Sequence, residues 1–157
     1  MRQAILTALF CCVAIASGCD KTDEAHCPML DLENTIIVSS VDATTTTGSR
    51  GTDSDIYLDI ELAKGDDMSL YLDDPSTNDF EANTIKTYTV DVTEFAVGDV
   101  TKMDIRKDSS LFEGGDWRLD ALTVVFREPD GTEHVAYDNP SVKELMTGDE
   151  THHLHCP

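Results

Sequence analysis

The chain has 157 residues, with 31 acidic against 11 basic side chains and a formal net charge of −20. That balance argues against nucleic acid, whose phosphates need Lys and Arg, and against direct attraction to an anionic membrane surface. Hydrophobic residues make up 40% of the chain, enough for one domain with a core and too many for general disorder.

The amino end reads as an address. "MRQAILTALFCCVAIASGCD" carries one early cation, Arg2, then an apolar run from Ala4 to Ala16 that is short for a membrane span and ends in small residues, as a secretory signal does. "ASGC" at Ala16–Cys19 resembles the bacterial lipoprotein lipobox. The resemblance implies cleavage before Cys19, acylation of that residue, and a home in the bacterial cell envelope on the inner or outer membrane. The alternative is an ordinary cleaved signal. The expected organisation is a signal over residues 1–18, a lipidated terminus and acidic tether over 19–33, and one domain over 34–157.

The rest of the chain reads as strands. Thr35–Val41 is a short candidate. "DIYLDIEL" (Asp55–Leu62) alternates cleanly, with Ile56, Leu58, Ile60 and Leu62 on one face and Asp55, Tyr57, Asp59 and Glu61 on the other; that period of two is a half-buried strand. Met68–Leu72 is another short candidate. "KTYTVDV" puts Tyr88, Val90 and Val92 inward, and "KMDIRK" does the same with Met103 and Ile105. "WRLDALTVVF" begins on the parity of Trp117 and Leu119, then shifts to Leu122, Val124 and Phe126, which predicts a bulge near Asp120–Ala121. Glu133–Tyr137 and Thr151–His155 complete the set, and Ser141–Met146 is expected as one short helical turn. Turn signals such as "TGSRGTD", "DDPSTND", "EGGD" and "EPDG" separate these segments. About eight short strands so punctuated predict an all-β, eight-stranded antiparallel sandwich.

Of five cysteines, Cys11 and Cys12 leave with the signal and Cys19 takes lipid. Cys27 and Cys156 remain, one near each end. Outside the cytoplasm they are read as a disulfide, or otherwise as two free thiols. The bridge would close a loop of about 130 residues, for which the chain-entropy account gives roughly 5 kcal/mol.

"YLDDPSTNDF" crowds Asp73, Asp74 and Asp79 around one proline. Like charges so close repel, and a hard divalent cation on a flexible oxygen-rich loop would offset the repulsion. No sulfur or imidazole is near in sequence, which disfavours zinc and copper. The other reading is that these aspartates are solvated turn formers.

"GTDSDIYLDI", "LDDPSTNDF", "KTYTVDV", "MDIRKD" and "GGDWRLDALTV" in this order resemble the PLAT (lipoxygenase-homology) family, and within it the calcium-binding C-terminal domain of clostridial alpha-toxin phospholipases C. The resemblance runs over about Thr35–His155 and implies an eight-stranded β-sandwich that binds membrane lipid or a protein partner. It implies calcium at Asp73, Asp74 and Asp79 with a Ser76 or Thr77 carbonyl. A second site, weaker or absent, is implied at the Gly51 and Trp117 carbonyls with Asp116, where Ser49 replaces an aspartate of the family. Leu111 and Phe112 in "DSSLFEGGDW" are implied to dip into lipid, or else Phe112 folds back as a lid on the sandwich. "THHLHC" is read as the last strand, not as a metal site.

No H-E-x-x-H, Walker loop or G-x-S-x-G is present in the sequence. The expected protein is a monomeric, lipid-anchored binding module without chemistry of its own, docking lipid with calcium. The alternative is a protein- or glycan-interaction module in which calcium is structural or absent.

Overall fold

The computed structural model describes residues 35–63, 66–74, 76–109 and 115–154. The expected signal and tether, Cys19, Cys27, Cys156, Leu111 and Phe112 lie outside the described residues. Nine strands follow one another: β1 Ile36–Thr47, β2 Asp55–Leu62, β3 Met68–Tyr71, β4 Ile85–Val97, β5 Val100–Asp108, β6 Trp117–Arg127, β7 Glu133–Asn139, β8 Glu144–Met146 and β9 Glu150–His153. One sheet has the order β4-β1-β6-β7, with β8 also paired to β6, and the other has the order β3-β2-β5-β9. All these pairings are antiparallel. The result is the expected all-β sandwich.

Alternation drives the packing. Ile56, Leu58 and Ile60 of β2 and Met103 and Ile105 of β5 turn inward and meet Val41, Ala43, Leu122, Val124 and Phe126 of the opposite sheet, all of them fully or almost fully buried. The predicted shift in β6 is present. Thr46 pairs with Ala121 and Thr47 with Leu119, so Asp120 is the extra residue that lets Trp117 and Leu119 face inward together with Leu122. In β4, Tyr88 is buried, while Val90 and Val92 pack half-buried against the core.

Two expectations are corrected. Ser141–Met146 is not helical: Glu144–Met146 forms β8, pairing Trp117 with Met146 and Leu119 with Glu144. Met146 is buried there, and the backbone before it turns at Lys143 through a left-handed φ of 57°. The strand exists because β7 pairs with β6 only from Leu122 onward and leaves Trp117–Leu119 an edge to pair with, which sequence periodicity does not reveal. In addition, β1 runs to Thr47 instead of stopping at Val41. Thr45 and Thr47 continue the inward row of Val41 and Ala43, so a polar run extends a buried strand face. β9 is an edge strand, as read, and His153 Nδ1 lies 2.6 Å from Asp104 Oδ1.

On the outer face, Arg127 Nη2 donates to Asp42 Oδ2 at 2.7 Å and Thr89 Oγ1 donates to Asp42 Oδ1 at 2.7 Å. Desolvation pushes the Asp42 carboxyl up, but the Arg127 and Thr89 hydrogen bonds outweigh it and hold the group below the usual carboxylate range. A carboxylate lowered in the folded state contributes stability above its unfolded value, about pH 4, and that contribution is lost as the pH falls through the folded value. Asp42→Asn is therefore expected to lower stability by about 1 kcal/mol at neutral pH and by little at pH 2. Urea unfolding at both pH values checks this; an equal loss at both would place the effect outside Asp42 ionisation.

Candidate functional site

The loops joining β1 to β2 and β3 to β4 meet at one end of the sandwich, where Gly115 and Asp116 lead into β6. Backbone bonds tie them together. Thr47 N donates to Thr84 O at 2.8 Å, Asn83 N to Gly48 O at 2.7 Å, Thr52 N to Phe80 O at 3.1 Å and Arg118 N to Arg50 O at 3.0 Å. Gly51 is where the approach is tightest. A Cβ there would stand 2.6 Å from the Phe80 carbonyl oxygen and 2.7 Å from the Ala82 nitrogen, both main-chain atoms that cannot swing aside. Gly51→Ala is expected to lower stability by roughly 1–3 kcal/mol, as overpacking does. The urea midpoint measures it, and an unchanged midpoint would mean the two loops are not locked to each other.

Phe80 anchors the acidic turn. Its backbone is left-handed, with φ at 53°. This is unfavourable for a bulky residue. Burial offsets it: the ring stacks on Tyr88 at 4.8 Å and meets Trp117 edge-on at 5.2 Å. Trp117 is itself fully buried, with its Nε1 donating to Thr47 Oγ1 at 3.3 Å. The turn just before Phe80 thus stands on an aromatic floor.

Within the turn the aspartates divide their oxygens. Asp74 Oδ1 accepts from Ser76 N at 3.0 Å and Ser76 Oγ at 2.6 Å. Asp79 Oδ2 accepts from Asp74 N at 2.7 Å. Thr77 Oγ1 lies 3.2 Å from both Asp74 Oδ2 and Asp79 Oδ1. Lys86, which sequence reasoning missed, brings its ammonium to the same two oxygens: it pairs with Asp74 Oδ2 at 3.1 Å and with Asp79 Oδ1. The same Nζ stands 5.1 Å from the centre of the Tyr88 ring. The signal was available in the parity of "KTYTVDV", which sets Lys86 on the inward row of Tyr88, Val90 and Val92, at the mouth of the sandwich.

One lysine does not neutralise this end. Loss of hydration, then the neighbouring Asp79 carboxyl and the charge of Asp74, hold Asp73 above the ordinary carboxylate range. Hydrogen bonds from Ser76 and then from Lys86 hold Asp74 well below it. The Tyr88 side chain is buried here, and burial followed by the Asp79 charge pushes the pKa of its hydroxyl up. Beside the turn opens a cleft of ≈ 160 Å³ that adds Asp53 and Asp55 to Asp73 and Asp79. Its rim includes Tyr71, whose hydroxyl donates to Asp55 Oδ1 at 2.9 Å and is pushed up to about 12, mainly by that bond.

Of the second predicted group, Gly51 is the member that lines a hollow beside the turn. Gly51, Asp53 and Gly115 line a neighbouring hollow, and the Gly51 carbonyl oxygen lies 3.6 Å from where a Gly115 Cβ would stand. Here too a cation was missed: the Arg50 guanidinium, next to Ser49, pairs with Asp116. Among the described residues no three carboxylate, imidazole or thiolate groups converge as a ready-made metal cage. A hard cation held at this end would therefore combine the carboxylates with main-chain carbonyls and compete with Lys86 or Arg50. The all-oxygen donor set fits such an ion.

The family model of the PLAT/LH2 domain matches residues 41–148. Similar solved structures include the alpha-toxin of Clostridium absonum, with TM-score 0.64 and 23% identity over 85% of this chain and 34% of the toxin. The alpha-toxin of an avian strain of Clostridium perfringens has TM-score 0.61 and 26% identity over 74% of this chain and 31% of the toxin. Coral 8R-lipoxygenase, described as activated by calcium through a C2-like domain, has TM-score 0.53 and 28% identity over 72% of this chain and 16% of that enzyme. The chain thus spans about a third of the toxins' length or less of these larger proteins. No curated protein sequence matches it.

Proposed function

The chain belongs to the PLAT/LH2 domain family, and from that premise we propose that it is a binding module that docks on membrane lipid through the acidic end of its sandwich, with calcium between carboxylate and lipid phosphate. PLAT domains are non-catalytic modules that bind membranes or proteins; in the toxins and lipoxygenases the catalytic part is a separate domain. The observation that carries the reading is the excess of carboxylates at that end: Asp53, Asp55, Asp73, Asp74 and Asp79 share the cleft and turn with Lys86. An acidic surface meets an anionic headgroup only through a cation. Asp73, Asp74 and Asp79, with a Ser76 or Thr77 carbonyl, would hold one ion, and Asp116 with the Gly51 and Trp117 carbonyls would hold a weaker second. Calcium supplies there a hard positive centre with coordination positions left for phosphate oxygens.

In the same reading Cys19 carries lipid, the domain stands outside the cytoplasm of a bacterium as a monomer, and Leu111 and Phe112 enter the bilayer beside the ion. A protein already anchored at Cys19 gains little from a second grip on the same membrane, so the module faces an apposed one. All described core residues fall between Val38 and Leu154, so the piece 20–157 keeps the whole described sandwich and serves as the soluble test protein. Sedimentation with vesicles of phosphatidylcholine and phosphatidylserine is the experiment. Binding in millimolar calcium that EDTA releases supports the reading. Absence of binding, or binding indifferent to calcium, removes it in favour of a protein- or glycan-interaction module, for which the Lys86 and Arg50 pairs would already balance the acidic loops.

A further inference from the structure

We propose that Lys86 is a built-in competitor of the divalent cation at the Asp73–Asp79 turn: its ammonium holds the carboxylate oxygens the ion needs, so the site fills only when calcium displaces the lysine. The inference rests on the cation-binding reading above and deepens it.

Asp74 and Asp79 have four carboxylate oxygens between them. Asp74 Oδ1 is committed to the main chain and hydroxyl of Ser76, and Asp79 Oδ2 to the Asp74 nitrogen. Those bonds close the turn and already draw on these two oxygens. Asp74 Oδ2 and Asp79 Oδ1 remain, bridged by the Thr77 hydroxyl at 3.2 Å to each. They are the two oxygens that Lys86 takes. An ammonium and a divalent ion cannot share them, because two like charges a few ångströms apart repel strongly even in a wet environment.

The lysine is also held where it is. Thr45 pairs with Lys86 in the β1–β4 ladder, and the side chain rises on the inward row past Tyr88, whose ring lies 5.1 Å from Nζ. Its side chain is 23% exposed and that of Asp79 12%, so the pair is partly shielded, and water can still reach it when the lysine swings out. The competition makes the site weak and selective: magnesium, which sheds its water reluctantly, is less able than calcium to displace an ammonium from carboxylates.

The test is calcium titration calorimetry on the 20–157 protein and its Lys86→Met and Lys86→Arg variants, with magnesium as control. Lys86→Met is expected to bind calcium at least about tenfold more tightly than the parent, and Lys86→Arg to stay near the parent. In the parent protein, saturating calcium should shift the Lys86 side-chain NMR resonance, a readout that survives even if Lys86→Met folds poorly. Calcium binding by the parent with an unmoved Lys86 resonance, or equal or weaker binding by Lys86→Met, overturns the competition and leaves the cation site standing. No calcium binding by any of the three proteins overturns both.

Discussion

Asp79→Asn is expected to abolish calcium-dependent vesicle binding and to weaken calcium binding at least tenfold, while leaving the fold in place. The substitution is nearly isosteric. The Asn side chain still offers an oxygen to the Asp74 nitrogen, the bond that closes the turn at 2.7 Å. What goes is one full negative charge at the centre of the group, between Asp73, which it crowds, and Lys86, which it pairs. A hard cation loses a ligand oxygen of high charge density there, and affinity for calcium follows ligand charge. In EDTA the variant should unfold within about 1 kcal/mol of the parent, because one repulsion is relieved as one partly exposed ion pair is lost. Vesicle sedimentation and calorimetry on the same preparation separate the outcomes. Calcium-dependent sedimentation that survives Asp79→Asn would remove the turn from the docking site.

Trp117→Ala is expected to have the largest effect on stability, a loss of roughly 3–5 kcal/mol. The side chain is fully buried, packs edge-on against Phe80 at 5.2 Å and donates to Thr47. It also pairs with Met146 through the β6–β8 ladder. Removing it empties a large volume and takes away a wall of the aromatic floor that keeps Phe80 in its left-handed conformation. The damage should therefore reach the adjacent turn and weaken its response to calcium as well. Trp117→Phe, which keeps a ring but not the Thr47 bond, should lose distinctly less. Urea unfolding followed by far-ultraviolet circular dichroism checks both, since Trp117 is the chain's one tryptophan and its fluorescence goes with it. A loss under about 1 kcal/mol in Trp117→Ala would show that the core repacks around the gap.

Much of the fold was legible because buried strands must alternate. Asp55–Leu62 could be read residue by residue, and the parity change in Trp117–Phe126 located the bulge that the ladder places at Asp120. Legibility failed where polarity and burial part company. Thr45 and Thr47 are buried although their neighbours in the run are not, because they extend β1 beneath the loop end of the sandwich. β8 was hidden because three residues carry no period, and the edge they pair with exists only because β7 stops at Leu122 of β6. At the site, the family resemblance picked out the aspartates, and the structure gathers Asp73, Asp74 and Asp79 in one turn and pairs Asp116 with Arg50. The opposing cations escaped notice for a physical reason. The inward parity of Lys86 was legible, but not that it faces the Asp74–Asp79 turn, and Arg50 lies in a loop far in sequence from Asp116. The crowding of Asp73–Asp79 thus has a partial internal answer, an ammonium, with carboxylate charge left over.

Whether that remaining charge recruits a divalent ion is the central claim, and thermal unfolding of the 20–157 protein across a calcium titration, with magnesium in parallel, tests it most directly. A ligand that prefers the folded state raises the melting temperature in proportion to the logarithm of its concentration above the dissociation constant. The account predicts a rise with calcium in the range of about 0.1–10 mM, as weak extracellular sites show, and a smaller or absent rise with magnesium. An unchanged melting temperature through that range would contradict it: the acidic end would then be balanced by Lys86, Arg50 and water alone.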